Sequence, residues 1–454
     1  MAHCGIILAA GKGTRMKSND PKVLCQLLFK PLVGWVMDAS RKAGMEDLCV
    51  VTGHGRQQVM QALEGQCEFA VQEQQLGTGH AVMQCREFLR RHQGDTVVIL
   101  SGDTPLIEAK TLAELCRQHE EQQASATVLA GRLDNPFGYG RILRDEQGNV
   151  TGIVEQKDAT PAQQQVKEIN SGIYAFQAEE LLQTLDLLTN DNAQGEYYLT
   201  DTIGILVSQG KRVRAMVCED SQQIMGINDR AQLYEAAQVA KERILTHWMK
   251  EGVTIYDKAS TYIAPDAQIG PDTHIYPSTI IKAGVTIGEG CVIGPNTQLE
   301  RMTIGSHTTV NASVASDSTI GDRVQVGPFA YIRPGSRIGN DIKVGDFVEV
   351  KNSTIGDGTK ISHLTYIGDS DFGGGINVGC GTVTVNYDGK RKFRTVVEDH
   401  AFIGCNTNLV APVTVREGAY IAAGSTITDE VPEKSLAIAR ARQINKTGWK
   451  KREE

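Results

Sequence analysis

Hydrophobic positions follow two different periods along the chain. Within residues 251–454, aliphatic residues recur at every sixth position in four registers, which span 263–299, 320–350, 355–367 and 403–427. A helix cannot keep such a stripe on one face, because six residues leave the side chain about 120° away. A parallel β-helix can, since each hexapeptide makes one short strand and one corner, where glycine or another small residue fits. The pattern predicts a solenoid with coils of about 18 residues.

The stretch 370–400 breaks this register. Its sequence, SDFGGGINVGCGTVTVNYDGKRKFRTVVEDH, departs from six-residue spacing and is rich in Asn, Tyr, Lys and Gly. An insertion in a solenoid emerges as a loop on one face, which is commonly the binding face. We therefore predict a functional loop here, and a merely tolerated loop is the weaker interpretation.

Residues 1–250 alternate apolar runs with helical patterns, which is typical of a doubly wound α/β sheet. The runs 5–11 (GIILAAG) and 96–103 (TVVILSGD) predict buried parallel strands. A helix is predicted to begin after the N-cap Asp229 and to connect two domains. The predicted domains are 1–228 and 251–454, with a linker helix at 229–250. The predicted apolar face of that helix comprises Leu233, Ala237, Ala240, Ile244 and Trp248.

Composition agrees with this division. Residues 1–250 contain 25 Leu, whereas residues 251–454 contain 4 Leu against 22 Ile and 19 Val, and β-branched residues favour strands. With 41% hydrophobic residues and a net charge of −8, the chain is neither mainly disordered nor a coat for nucleic acid. Ten single cysteines without a C-x-x-C pair favour a reducing compartment, and no run is long enough for a membrane helix. We expect a soluble cytoplasmic protein.

A glycine-rich loop, GKGTRMKSNDPK, follows the first apolar run at residues 11–22. Gly11 and Gly13 allow the backbone to approach a ligand closely, while Arg15 and Lys22 supply charge for phosphates. The loop is not a Walker A motif, and Met16 replaces the third glycine of a dinucleotide fingerprint. The loop alone is therefore weak evidence for any one nucleotide.

The whole string LAAGKGTRMKSNDPK resembles the opening motif of the sugar-phosphate nucleotidyltransferases, L-A-A-G-x-G-T-R-M-x-S-x-x-P-K. Further motifs follow in that family's order: QLGTGHA (75–81), SGDTPL (101–106), GYGRI (138–142), INSGIY (169–174) and GINDR (226–230). With the hexapeptides, a histidine and an NYDG loop, the entire chain is similar to the bifunctional bacterial uridyltransferase–acetyltransferases. The resemblance implies a Rossmann-like nucleotidyltransferase domain followed by a left-handed parallel β-helix.

The implied activity is the synthesis of UDP-N-acetylglucosamine for the bacterial envelope. Acetyl-CoA would acetylate glucosamine 1-phosphate in the C-terminal domain. UTP would then react with N-acetylglucosamine 1-phosphate in the N-terminal domain, releasing pyrophosphate. The family assembles as homotrimers, so a trimer is expected. No nucleic acid or membrane partner is implied.

Carrying the family's motifs onto this chain gives a set of expected nucleotide-site residues. Mg²⁺ would be held by Asp103 and Asn228, although from GDTP alone a turn residue is the favoured interpretation of Asp103. Arg15 and Lys22 would hold the triphosphate. His54, His80 and His119 are expected to be structural. The expected contacts to UTP and the nucleotide sugar are Leu8, Ala9, Ala10, Gly11, Arg15, Lys22, Gln72, Gly77, Thr78, Gly140, Glu155, Asn170 and Asn228.

The resemblance likewise implies an acetyltransferase site around His363, the expected general base, with Glu349 expected to orient it or to stabilise its charge. Arg333, Lys351, Tyr366, Asn377 and Lys392 would bind glucosamine 1-phosphate. Asn386 would contact the sugar and Tyr387 would assist the tetrahedral intermediate, both beside the acetyl-CoA. The expected acetyl-CoA contacts are Cys380, Asn386, Tyr387, Cys405, Ala423 and Arg440.

Three positions depart from the family pattern. Cys380 stands for a usual alanine and Cys405 for a usual serine, which weakens any hydroxyl contact there. Phe29 stands where the family has glycine, which puts the local turn in doubt. The basic C-terminal stretch ARARQINKTGWKKREE could cover a neighbouring CoA site or be a solvated tail.

Two other functions stay open at this level. One is a nucleotidyltransferase with a single activity, whose β-helix is structural or regulatory. The other is a non-enzymatic trimerisation scaffold.

Overall fold

The computed structural model describes residues 2–449, so the last five residues of the basic C-terminal stretch lie outside the described part. The chain divides into two compact units, residues 1–240 and 241–454. Within the described residues, no helix is both long and apolar enough to span a membrane.

The first unit is built on a mostly parallel sheet. The first strand, His3–Ala9, pairs in parallel with a strand on either side, and Glu168–Gln177 is inserted antiparallel. A hairpin, Arg141–Arg144 and Val150–Val154, extends from Glu168–Gln177. Gln26–Leu27 and Lys30–Pro31 form a separate small hairpin. Across the sheet the strands run in the order Val213–Val217, Ala126–Arg132, Glu168–Gln177, Thr96–Ser101, His3–Ala9, Met45–Thr52 and Glu68–Val71.

Helices cover both faces of this sheet because alternate strand residues point to opposite sides. Val97 and Ile99 belong to one buried apolar layer, while Val98 and Leu100 belong to the other. Short 3₁₀ turns lie at Thr14–Met16, Lys22–Leu24, Gln163–Gln165 and Ser221–Ile224. The helices are Leu32–Lys42, Arg56–Ala62, Thr78–Met83, Arg86–Arg91, Ala109–Glu121, Ala178–Leu185 and Asp201–Ser208.

The predicted linker helix is observed at Arg230–Lys250, and the boundary between the two units falls within it. Its predicted cap is present, since Oδ1 of Asp229 accepts a hydrogen bond from the backbone N–H of Gln232 at 2.9 Å. The buried face of this helix differs from the predicted one. Leu233, Ala237 and Ile244 are only half-buried, and buried residues lie beside them. The apolar residues that are buried are Ala236, Ala240, Leu245 and Trp248.

The second unit is a parallel β-helix with three flat sheets. We call them face 1, face 2 and face 3. Face 1 comprises Thr254–Ile255, His274–Ile275, Val292–Ile293, Thr309–Val310, Gln325–Val326, Lys343–Asp346, Lys360–His363, Asn377–Val378, Phe402–Ile403, Tyr420–Ile421 and Leu436–Ala437. Face 2 comprises Tyr262–Ile263, Ile280–Ile281, Gln298–Glu300, Val314–Ser316, Tyr331–Ile332, Glu349–Lys351, Tyr366–Gly368, Val383–Val385, Asn408–Val410 and Thr426–Ile427. Face 3 comprises Gln268–Ile269, Val285–Ile287, Met302–Ile304, Thr319–Ile320, Arg337–Ile338, Thr354–Ile355, Ser370–Phe372, Thr395–Val397 and Val413–Val415.

The coils confirm the six-residue pattern. Ile263 pairs with Ile281, the position expected for an 18-residue coil, and Ile281 pairs with Leu299. These aliphatic side chains point inward and form one continuous core along the solenoid. Some coils are shorter than 18 residues. Val310, for example, pairs with Val326, because the corners of that coil contain fewer residues while its strands keep their register.

Only part of the predicted insertion leaves the coil. Ser370–Phe372, Asn377–Val378 and Val383–Val385 are ordinary strands of the three faces. Residues 386–394 form the loop, which is closed by a bridge between Tyr387 and Lys392. This segment explains why Val378 pairs with Ile403 across a coil longer than the others.

Candidate active sites

Two parallel strands of the first unit end side by side and begin the nucleotide-site candidate. Leu8 pairs with Ser101, and the N–H of Gly102 donates to the carbonyl of Leu8 at 2.9 Å. Asp103 therefore lies at the carboxyl edge of the sheet, beside the glycine-rich loop that follows Ala9. This edge is where open α/β sheets bind ligands.

At this edge, Lys22 donates hydrogen bonds to two oxygen atoms. Its ammonium contacts the carboxylate of Asp103 and lies 3.3 Å from Oδ1 of Asn228. Nη2 of Arg15 donates to the same Asn228 oxygen at 3.0 Å. The N–H of Ile227 donates to the carbonyl of Asp103 at 2.9 Å, which fixes the segment that carries Asn228. The structure thus brings all four predicted phosphate and metal residues together.

Gly13 is required for the position of Lys22. Its φ is 57°, and a Cβ added there would lie 2.5 Å from Cβ of Lys22. Larger residues would push the lysine stem away from Asp103. The glycine-rich loop therefore positions a cation as well as exposing its own backbone.

Two adjoining cavities extend from this edge, of about 250 and 210 Å³. They share Leu8, Thr78 and Ser101, so a single elongated ligand fits both. The first is lined by the predicted residues Leu8, Ala9, Ala10, Gly11, Lys22, Gln72, Gly77, Thr78 and Asp103. The second is lined by the predicted residues Gly140, Glu155 and Asn170.

One wall of the first cavity is held by partly buried hydrogen bonds. Nε2 of Gln72 donates to the carbonyl of Gly77 at 3.0 Å and lies 3.1 Å from Nδ1 of His80. Gly77 has a φ of 106°, and a Cβ there would lie 2.5 Å from the carbonyl oxygen of Tyr197. His80 thus contacts Gln72 from this wall, and its structural role stays a prediction.

The second cavity contains a half-buried carboxylate. Burial raises the pKa of Glu155, although a hydrogen bond from Thr200 at 3.2 Å opposes the shift. Nδ2 of Asn170 donates to the hydroxyl of the buried Tyr174 at 2.7 Å. Neither Thr200 nor Tyr174 was predicted from the sequence, although Tyr174 closes the INSGIY motif. An acceptor and an amide therefore face a space suited to a sugar.

In the second unit, His363 ends a strand of face 1. Nδ1 of its exposed imidazole lies 2.5 Å from Oδ1 of Asp346, its partner on the preceding coil. The hydrogen bond holds the pKa of Asp346 below its ordinary value. Glu349, which was expected to orient His363, is bonded to Arg333 at 2.7 Å instead. The expectation that Glu349 orients His363 is wrong, because Glu349 lies on face 2, across the corner from His363. That Glu349 stabilises the charge of His363 stays a prediction.

Three cations gather at face 2 beside the loop 386–394. Arg333 follows one strand of face 2 and Lys351 ends the next, since Ile332 pairs with Val350. Lys392 comes from the loop, and the adjacent ammonium of Lys351 lowers its pKa. Like charges held this close favour an anion between them, so the cluster suits a phosphate.

Asp369 supports this cluster and was missed by the sequence analysis. Its buried carboxylate accepts from Asn352 at 2.6 Å, from Lys351 at 3.3 Å and from Asn386. Although burial opposes ionisation, these hydrogen bonds hold the pKa of Asp369 below its ordinary value. Asn386 also lies 3.4 Å from the hydroxyl of Tyr366. Asp369 itself lies between Gly368 and Ser370 in an ordinary corner of the solenoid. No sequence motif therefore distinguishes it from other corner residues.

Not every predicted sugar-site residue lies in this cluster. Asn377 begins a strand of face 1, where it pairs with Lys360 and Phe402. It is therefore on a different face from Arg333, Lys351 and Tyr366. Tyr387 lies in the loop, and its hydroxyl donates to the carbonyl of Gly389 at 2.7 Å.

Three of the predicted acetyl-CoA residues, Cys380, Cys405 and Ala423, lie in a column at the corner after face 1, whereas Asn386 and Tyr387 belong to the loop that follows a strand of face 2. Pairs on both sides of the corner fix the register: Val378 with Ile403, and Val383 with Asn408. Strand pairs of face 1 and face 2 connect the neighbouring coils in the same register. Arg440 lies near this column, since a Cβ on Gly424 would lie 3.6 Å from its Cδ. The column formed by this register is Asp346, His363, Cys380, Cys405 and Ala423.

A wider groove of about 750 Å³ lies at the corner between face 2 and face 3. Two of its arginines are already neutralised, since Arg301 pairs with Asp317 and Arg394 pairs with Asp371. Its volume alone therefore does not make it a site. Across residues 2–449, no three His, Cys, Asp or Glu side chains cluster in a way that could hold a metal ion.

Comparison with protein families assigns both units. Residues 4–250 match the family described as nucleotidyl transferase. Residues 260–301 and 317–352 match the bacterial transferase hexapeptide, and residues 394–429 match the hexapeptide repeat of succinyl-transferase. These matches agree with an α/β nucleotidyltransferase unit followed by a left-handed β-helix.

Curated relatives match along nearly the whole chain. A protein of Acetivibrio thermocellus named bifunctional protein GlmU is 53% identical over 444 residues, covering 98% of this chain and 96% of the relative. A protein of the same name from Staphylococcus haemolyticus is 50% identical over 452 residues, covering 100% of both chains. The corresponding Geobacillus protein is 52% identical over 444 residues, with 98% and 96% coverage.

Proposed function

Because the chain belongs to the GlmU family of bifunctional proteins, we propose that it makes UDP-N-acetylglucosamine by two successive transfers. The solenoid unit acetylates glucosamine 1-phosphate with acetyl-CoA. The N-terminal unit then joins N-acetylglucosamine 1-phosphate to the uridylyl group of UTP and releases pyrophosphate.

The observation that supports uridylyl transfer is the contact of Lys22 with both Asp103 and Asn228 at the joined cavities. A phosphate oxygen of the sugar phosphate attacks the α-phosphorus of UTP, and the bond to pyrophosphate breaks. Such transfers depend on positioning and on neutralising charge more than on a protein nucleophile. Lys22 and Arg15 supply positive charge for the departing pyrophosphate, while the cavity that contains Glu155 and Asn170 holds the sugar.

The oxygens of Asp103 and Asn228 fit a magnesium ion. Both oxygens converge on one cation, the ammonium of Lys22, so the site already accepts positive charge between them. Mg²⁺ commonly takes one or two protein oxygens and completes its shell with water and substrate phosphates. When bound, it would neutralise phosphate charge beside Lys22.

His363 is the general base for acetyl transfer. It takes a proton from the 2-amino group of glucosamine 1-phosphate, whose nitrogen attacks the thioester carbonyl of acetyl-CoA, and CoA leaves as its thiol. Asp346 holds Nδ1, so Nε2 faces the substrate. The phosphate lies among Arg333, Lys351 and Lys392, with Tyr366 and Asn386 beside the sugar. Asn377 and Tyr387 complete the substrate contacts, and the corner column that includes Cys405 and Ala423 lies along the acetyl-CoA.

Two further properties belong to this proposal. The chain works as a homotrimer, because hexapeptide solenoids of this family place acetyl sites at subunit boundaries, which would bring Asn377 of one subunit to a site of another. It works in the cytoplasm, where acetyl-CoA and UTP are supplied and where its ten free cysteines stay reduced.

The test is to incubate the protein with glucosamine 1-phosphate, acetyl-CoA, UTP and Mg²⁺ and to identify the products by mass. Asp103→Asn should abolish uridylyl transfer and keep acetyl transfer, whereas His363→Ala should do the reverse. Asp134→Asn and His307→Ala, at exposed positions of the same units, are the matched controls. If no CoA is released from acetyl-CoA and glucosamine 1-phosphate, the solenoid has no transferase activity. Parallel loss of both activities in folded single variants would contradict two separate sites.

A further inference from the structure

Two cysteines are stacked on neighbouring coils at the corner after face 1. Val378 pairs with Ile403 before the corner and Val383 pairs with Asn408 after it, so Cys380 and Cys405 occupy equivalent positions. The N–H of Asn406 donates to the carbonyl of Cys380 at 2.7 Å, which locks the two corners together. Neither thiol takes part in bond making or breaking in the proposed reactions.

The spacing of the coils suits a disulfide. Neighbouring strands of a sheet lie about 4.8 Å apart, and equivalent residues point the same way. Disulfides join Cα atoms separated by about 4.4–6.8 Å, so adjacent coils provide the required distance without moving the backbone. The register therefore holds Cys380 and Cys405 as a vicinal pair although they are distant in sequence.

The pair is accessible. Cys405 is exposed and Cys380 is half-buried, whereas seven of the other cysteines are buried. Cys67, in the first unit, is the remaining half-buried one. A disulfide reagent in solution would therefore reach Cys405 first.

The neighbours of the pair in the column favour thiol chemistry. His363, bonded to Asp346, lies on the coil before Cys380, and its imidazole can accept a thiol proton. On the other side, Ala423 and Gly424 lie next to Arg440, a cation suited to a phosphate of CoA. A CoA bound along this column brings its sulfur to the thiols.

We propose that Cys405 and Cys380 form a modification site for the disulfide of coenzyme A, an inference that rests on the proposed acetyl-CoA site. The thiolate of Cys405 attacks one sulfur of CoA disulfide, the S–S bond breaks, and one CoA leaves and takes a proton. Cys380 then attacks the sulfur of Cys405, releases the second CoA as its thiol and leaves a Cys380–Cys405 disulfide. Two protein thiols are oxidised and one CoA disulfide is reduced to two CoA thiols.

This reaction would make acetyl transfer sensitive to the oxidation of the CoA pool. Both the mixed disulfide and the internal disulfide occupy or reshape the corner along which acetyl-CoA binds. The nucleotide site belongs to the other unit and does not contain these residues, so uridylyl transfer stays unchanged.

The test treats the full-length protein with CoA disulfide or, at equal concentration, with glutathione disulfide. Peptide mass spectrometry follows Cys380 and Cys405, and each activity is compared with that of the same protein untreated. Because binding raises the local concentration, CoA disulfide should react at least about tenfold faster than glutathione disulfide. Acetyl transfer should fall by a similar factor, uridylyl transfer should stay constant, and dithiothreitol should restore the loss.

Two variants separate the steps. Cys380→Ser should stop at the Cys405–CoA mixed disulfide, and Cys405→Ser should form neither product. Cys67→Ser, at the half-buried cysteine outside the solenoid, should react as the unsubstituted protein does. Equal rates with both disulfides, adducts mainly at other cysteines, or equal loss of both activities would overturn the inference.

The mass readout does not need acetyl transfer. If the untreated protein makes no acetylated sugar but CoA disulfide still oxidises the pair selectively, the proposed acetyl transfer fails and the modification site stands. If the untreated protein acetylates normally and the pair does not react selectively, the modification site fails alone.

Discussion

Nδ1 of His363 and Oδ1 of Asp346 lie 2.5 Å apart on neighbouring coils of the solenoid. The carboxylate fixes which imidazole nitrogen faces the substrate and stabilises the positive charge that forms when the base takes a proton. Since the hydrogen bond keeps the pKa of Asp346 below its ordinary value, the carboxylate stays ionised at neutral pH.

Replacing this carboxylate should therefore slow acetyl transfer. Asp346→Asn is expected to lower kcat by at least about tenfold with little change in the KM of either substrate. Asp346→Glu should recover part of the loss. Asp341→Asn, at an exposed corner paired with Arg323, is the control and should leave the rate unchanged. A large rise in KM instead would assign Asp346 to substrate binding.

Lys392 is expected to bind the sugar phosphate. It is held against Lys351, which lowers its pKa, and an anion relieves the repulsion between the two ammonium groups. Losing one charge-assisted hydrogen bond costs about 1.5–3 kcal/mol, so Lys392→Gln should raise the KM for glucosamine 1-phosphate about tenfold to hundredfold. Steady-state kinetics with Lys390→Gln, in the same loop, provide the comparison. Equal KM values in both variants would remove Lys392 from the phosphate site.

Glu155 is expected to lower the free energy of unfolding of the protein, although it binds the nucleotide sugar. Burial raises its pKa, so the folded state holds a proton that the unfolded state releases. This contribution to the free energy of unfolding is full below the ordinary glutamate pKa and is lost as pH rises through the raised value. Glu155→Gln should therefore unfold at higher urea than the natural chain at pH 8, with no difference at pH 4, and should lose uridylyl transfer.

The exposed Glu146 provides the control for that experiment. Glu146→Gln should leave both the urea midpoint and uridylyl transfer unchanged. A Glu155→Gln protein that is less stable at pH 8 would show that the carboxylate is stabilised by its neighbours rather than strained by burial.

His119 should make the first unit acid-sensitive. It is buried in the helix Ala109–Glu121, and burial lowers its pKa from 6.5 to about 4. His3 lowers the pKa of His119 slightly further, and only Glu120 opposes the shift. The unfolded state binds a proton first as pH falls, so stability is full above pH 6.5 and declines towards pH 4. The total loss is about 3 kcal/mol, at about 1.4 kcal/mol for each unit of the shift.

Urea unfolding followed by the helical circular-dichroism signal measures this loss, since the solenoid contributes mainly strands. His119→Gln should flatten the pH dependence between 6.5 and 4 relative to the natural chain. His54→Gln, at an exposed histidine, should not. An unchanged slope in His119→Gln would mean that other groups cause the acid sensitivity.

The periodic parts of the fold were predictable because each depends on local chemistry. The aliphatic residue at every sixth position predicted the inward-facing core of the solenoid. The N-cap Asp229 predicted the first residue of the long helix, Arg230. The motif loops placed Asp103, Lys22 and Asn228 together because strand ends meet at one sheet edge. The domain boundaries and the roles of the site residues remain predictions.

Other features depend on contacts that are distant in sequence. The partner of His363 is Asp346 rather than Glu349, since the corner between the faces turns Glu349 towards Arg333. Asp369 supports Lys351 and Asn386 from an ordinary corner. Phe29 has a φ of 68° in the turn where the family has glycine, so the turn is retained at the cost of backbone strain.

The solenoid places its chemical groups by coil and corner rather than by distance along the chain. His363 lies 17 residues after Asp346 and Cys405 lies 25 after Cys380, yet each step is a single coil. The nine residues 386–394 bulge outward without displacing the next strand, so loops at corners can change length while the column stays aligned. A single residue inserted within a strand has the opposite effect, because it reverses the inward and outward side chains of that strand. Corners are therefore the tolerant places for new specificity, and strands are the intolerant ones.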